Sequence, residues 1–125
     1  DVNIQLFSLY GVILLSTLNL YLCFNFLEMV QMYLIHVSVD LGEISEQYHA
    51  QHIEFLNQQF DNKVFLTFGR NLSKNSAGVI IAQAENQDEL ERIEALDPYV
   101  KHRCANYEIE EFSPLKIAKD FHLFK

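Results

Sequence analysis

The chain has 125 residues, half of them hydrophobic and about a fifth charged. That is the composition of one globular domain, with core enough to need neither disulfides nor a metal. With 17 acidic residues against 9 basic ones the net charge is -8, so no basic stripe exists to displace counterions from a nucleic acid or to dock on anionic lipid.

No lysine or arginine precedes Lys63, and residues 1–31 carry only Asp1 and Glu28 as charges. Within them YGVILLSTLNLYLCFNFLEMV (10–30) approaches the length of a bilayer span. Asn19 and Asn25 interrupt it, and no basic n-region, cleavage site or flanking Lys/Arg accompanies it. Residues 1–31 are therefore expected to be an extension: sequence upstream of the native start or an element packed on the domain, in preference to a membrane anchor. Residues 32–125 are expected to form the domain. The two cysteines, Cys23 and Cys104, lie far apart and outside any CxxC or zinc spacing, which predicts free thiols in a reducing, cytoplasmic compartment.

From Met32 the periodicities are regular. MYLIHVSVD (32–40) alternates Ile35, Val37 and Val39 against Leu34, His36 and Ser38, a strand pattern. Gly42 breaks it, and Ser45 is the expected N-cap of a helix to about Phe60. DNK (61–63) turns into a strand at VFLTFG (64–69); the polar loop 70–76 leads to a third strand, AGVIIAQA (77–84). Asn86 and Glu89 have the spacing of a capping box. The helix they open carries Leu90, Ile93 and Leu96 on one face and is expected to end at Asp97, before Pro98. NYEIEEF (106–112) completes the set as a strand, followed by a tail.

The order β-α-β-β-α-β predicts an α+β, ferredoxin-like fold: a four-stranded antiparallel sheet with both helices on one face. Two helices cannot cover Leu34, Phe65, Ile80 and Tyr107 together, and a second copy is the simplest cover. A homodimer, or a higher oligomer built on it, is expected.

MYLIHVSVD, QHIEFL on the first helix, LTFG, GVIIAQAEN and LDPYV, in this order and spacing over residues 32–114, resemble the YciI-like family of small dimeric α+β-barrel proteins. The resemblance implies a pocket between helix and sheet holding a histidine and an aspartate, matched here by His52 and Asp97. Asp40 stands where relatives often carry an acid. It also implies lyase- or isomerase-type chemistry, since a related member is a dehydrochlorinase of a chlorinated hydroquinone and the wider superfamily includes muconolactone isomerases. The chain departs from the pattern after the second strand, reading Gly69-Arg70 where relatives commonly have Gly-Pro, with a shorter loop.

On a helical wheel Tyr48, His49, His52, Ile53, Phe55, Leu56 and Phe60 share one arc, so His52 points at the sheet. A buried imidazole is either a core residue tied to a backbone carbonyl or a general base oriented by a carboxylate. Asp97, at the expected helix end, would sit against the negative end of the dipole, a placement an imidazole would compensate. His52 as base and Asp97 as orienter would suit proton abstraction from a small ring substrate. Arg70 is a candidate for holding a carboxylate or phenolate; Tyr99 and His36 are candidate pocket residues. His49, three residues before His52, permits a shared metal, but no Cys or further acid stands at zinc spacing, so neither metal nor cofactor is expected. No phosphate loop or GxSxG elbow occurs. The alternative to an enzyme is a non-catalytic dimeric module binding a small ligand in the same cleft, with His52 and Asp97 too far apart to share a proton.

Overall fold

A computed structural model describes residues 31–119. The expectations for residues 1–30, Cys23 among them, fall outside the described residues. The elements are β1 (Gln31–Val39), α1 (Glu43–Asp61), β2 (Phe65–Arg70), β3 (Ala77–Ala84), α2 (Gln87–Glu94), α3 (Pro98–Lys101) and β4 (Ala105–Phe112). The strands form one sheet in the order β2-β3-β1-β4, every pair antiparallel. This is the ferredoxin-like βαββαβ arrangement, with α3 as an extra short helix. Among the described residues no helix is long and apolar enough to cross a membrane.

The core lies on the helix side of the sheet because strand side chains alternate between faces. Tyr33, Ile35 and Val37 of β1 are buried there with Phe65, Ile80, Ala82, Ala84, Phe55, Leu56 and Leu90. Register carries the same face across the sheet: Ile35 opposes both Ile80 and Ile109, and Val37 opposes Tyr107. The opposite face carries Leu34 paired to Ile81 and His36 paired to Val79. Of the four strand residues that two helices were not expected to cover together, three face the helices. Phe65, Ile80 and Tyr107 are on the helix side, and only Leu34 is on the other. Phe65 joins the core beside Phe68 because a register shift between Phe65 and Thr67 inserts an extra residue and puts two positions of unlike parity on one face.

Helix ends account for the other differences. The N-cap of α1 is Gly42, not Ser45. Ser45 stands at N3, its hydroxyl accepting the Gly42 N–H at 2.8 Å and donating to the Gly42 carbonyl at 3.0 Å, so it makes the half of a capping box that reaches back from N3, while glycine has no side chain to make the other half. Asn86 caps α2 as expected, accepting the Glu89 N–H at 2.9 Å. That helix stops at Glu94, and Leu96, expected on its buried face, is 55% exposed. On α1, Ile53 and Phe60, at one edge of the apolar arc, are also exposed, while Gln59, a polar residue inside the arc one heptad after His52, is buried.

Candidate functional site

Asp97 does not sit at a helix C-terminus. It is the N-cap of α3, with Pro98 at the first helical position, and its Oδ1 accepts the Tyr99 N–H at 2.9 Å. The dipole argument therefore reverses: an Asp followed by Pro is here a helix start, where a carboxylate is favoured and the missing proline N–H leaves nothing unpaired.

The same carboxylate is fully buried and receives two further donors. His52 Nδ1 lies 2.8 Å from Oδ1 and 3.0 Å from Oδ2, and the Tyr107 hydroxyl donates to Oδ2 at 2.7 Å. Three donors from α1, α3 and β4 replace the hydration a buried charge would otherwise lack. Burial first, then the Asp97 charge, pushes the Tyr107 phenol far up, so it stays protonated and donates at any ordinary pH.

The carboxylate on Nδ1 sets the tautomer of His52. In the neutral ring the proton therefore sits on Nδ1, and Nε2 has no partner among the described residues. Tyr99 holds the ring from the side: the two rings are parallel, 8° apart in plane and 3.9 Å between centroids. The Tyr99 hydroxyl donates to the Ser45 carbonyl at 3.1 Å. Because that hydrogen is committed, the 3.0 Å contact between His49 Nδ1 and the Tyr99 oxygen must be donated by His49. Burial pushes the Tyr99 phenol up, with Cys104 and Asp97 adding to it.

His52, His49 and Tyr99 line a cavity of about 430 Å³ bounded by Val37 and Val39 of β1, Ile53 and Leu56 of α1, and the β2–β3 hairpin from Phe68 to Ile80, which includes Arg70 and Lys74. Of the candidate residues, His52, Tyr99 and Arg70 line this space, and Asp97 lies directly behind His52. His36 does not reach it: it alternates onto the opposite sheet face, where its Nε2 is 3.5 Å from Glu110. Asp40 is exposed at the end of β1 and is not among the lining residues. Tyr107 was missed as a site residue because alternation alone does not say which strand face meets the helices. Lys74 was missed because nothing in a polar loop marks where it folds. Cys104 is buried beside the site; burial and the Asp97 charge push its thiol up, which keeps it protonated and unreactive.

The YCII-related domain family matches residues 29–113. The chain belongs to that family. Among solved structures, this YCII-related protein is similar to 5-chloro-2-hydroxyhydroquinone dehydrochlorinase from Burkholderia phenoliruptrix AC1100, solved in complex with 2,5-dihydroxybenzoquinone. The two share 18% identity and a TM-score of 0.54 over 66% of this chain and 93% of that one. SnoaB, a cofactor-independent oxygenase from Streptomyces nogalater, is similar at 19% identity and a TM-score of 0.42 over 73% of this chain and 98% of that one. No curated protein matches the chain. At these identities the structural likeness is one of fold.

Proposed function

We propose that this YCII-related protein is a small lyase- or isomerase-type enzyme in which His52 abstracts a proton from a small ring substrate. The observation that carries the reading is the 2.8 Å contact between His52 Nδ1 and the buried Asp97 carboxylate in a ring whose other nitrogen belongs to a cavity-lining residue. Asp97 is the orienter, keeping the Nδ1–H tautomer and stabilising the imidazolium that forms. Tyr99, stacked on the imidazole, and Arg70 are the candidate substrate contacts. His36 and Asp40 lie outside the cavity and have no part in this reading.

In the step itself, Nε2 takes a proton from a ring carbon next to a carbonyl, which a hydroxylated ring supplies as its keto tautomer, and the C–H electron pair is delocalised onto the carbonyl oxygen. The anion is then reprotonated at another carbon, which is isomerisation, or expels chloride, which is elimination of HCl. The structurally similar dehydrochlorinase supplies a reason to include chlorinated hydroquinones among the first compounds tried. A purely ligand-binding module would not need a base pinned by a carboxylate, and the contact favours the enzyme. We further propose that the working form is a homodimer closed over the sheet face bearing Leu34 and Ile81.

The test is solvent deuterium incorporation and chloride release over a panel of hydroxylated and chlorinated ring compounds, comparing the native chain with His52→Gln. Exchange or chloride release by the native chain that falls about a hundredfold or more in the variant is the expected result. Equal rates in the two proteins would remove His52 from the chemistry.

A further inference from the structure

Acidic residues outnumber basic ones by 17 to 9 in this chain, so a cavity lined without selection would show about two carboxylates for each cation. The lining shows the reverse: Arg70 and Lys74 contribute to it, and no aspartate or glutamate does. The neighbouring carboxylate, Asp97, is hidden behind His52 with its oxygens taken by three donors, so it offers a ligand no negative surface. Neither Arg70 nor Lys74 is in a salt bridge among the described residues.

Both cations belong to one hairpin, Arg70 ending β2 and Lys74 in the loop that follows. The Asn71 N–H to Ala77 carbonyl bond of 2.9 Å closes that loop. The walls between them and His52 are apolar, from Val37, Leu56, Phe68 and Ile80. We propose that the cavity selects a single-ring organic anion, an aromatic carboxylate or phenolate. Its charged oxygens meet Arg70 and Lys74, and its ring lies between the apolar walls facing His52. The inference rests on the proposed function only in taking the same cavity as the substrate site. It adds the charge of the molecule and the residues that read it. In a chain of net charge -8 the long-range field repels anions, so the selection is local and made at the hairpin.

The experiment compares benzoate with benzamide, nearly equal in shape and differing in charge, by protein-observed NMR titration of the full chain. Benzoate is expected to bind about tenfold tighter, to shift signals of His52 and Arg70, and to weaken as sodium chloride is raised, while benzamide does not. In the double variant Arg70→Gln/Lys74→Gln the preference for benzoate over benzamide should disappear, and an amide spectrum that keeps the native dispersion shows that the variant is folded. Equal affinity of the two compounds for the native chain, discrimination that survives in the double variant, or no binding of either at millimolar concentration would each overturn the inference. His52→Gln separates this from the proposed reaction. If it abolishes turnover while benzoate discrimination persists, both stand. If the native chain turns over only neutral rings, the reaction stands and the anion selection does not.

Discussion

At the scale of single residues, the site is built around one carboxylate. Asp97 accepts from His52, the Tyr99 backbone and Tyr107, so its removal has two separable effects. Asp97→Asn presents an amide donor to at least one existing donor, and should cost about 1–3 kcal/mol in stability by urea denaturation. If the proposed reaction holds, it also loses the Nδ1–H tautomer and should lower turnover about a hundredfold or more. Tyr107→Phe removes one donor and leaves the imidazole contact, so a smaller loss of about 1 kcal/mol is expected, with much of the activity kept. A second residue gives a pH signature. Glu94 is pushed up to about 7 by burial, with Glu91 adding to it, and its Oε2 is buried without a partner among the described residues. The folded protein thus holds this proton where the unfolded chain has released it. Its contribution to stability is full below the ordinary value of 4.5 and is lost as the pH rises to about 7. Glu94→Gln should flatten that slope. Urea midpoints at about pH 5 and pH 8 should differ less in the variant than in the native chain.

At the scale of elements, helix ends decide how the site is assembled, and they are what local sequence patterns determine least. Ser45, expected to cap α1, instead stands inside it, where its backbone carbonyl receives the Tyr99 hydroxyl; the start of α1 thereby holds α3 in place. The DPYV segment reads equally as the stop of one helix or the start of another, and only the cap bond from Tyr99 to Asp97 chooses between them. The C-terminus of α1 carries a different irregularity. Val64 N–H bonds to the Gln59 carbonyl and Lys63 N–H to that of Phe60, both at 3.0 Å, the pattern of a helix closed by a left-handed residue. That residue is Lys63, at φ 64, where a glycine would avoid the clash of Cβ with its own carbonyl. Lys63→Gly should therefore raise stability, by up to about 1 kcal/mol once the greater freedom of glycine in the unfolded chain is set against the relief. A thermal or urea transition measures it directly, and an unchanged or lower midpoint would show that the strain is absorbed elsewhere.

At the scale of the whole molecule, the described residues place both main helices on one side of the sheet and leave Leu34, Ile81 and Val79 on the other. If the proposed homodimer forms there, Ile81→Lys would put a charge at its centre, and sedimentation equilibrium should show a shift from dimer to monomer. A native chain that is monomeric at micromolar concentration would remove the proposal. The element order, the alternation in β1 and β3 and the wheel position of His52 were all legible in the sequence, because they depend on periodicities of two and of 3.6 residues that local geometry imposes. The pairing of His52 with Asp97 was anticipated from the family resemblance, although the reason offered from helix-end electrostatics was the wrong one. Which sheet face receives Tyr107, which side of α1 stays wet at Phe60 and where Arg70 and Lys74 come to rest were set by the bulge in β2, the packing of α3 and the path of the hairpin. These are contacts between residues distant in the chain, and no local pattern records them, because the free energy that selects them arises only when the elements meet.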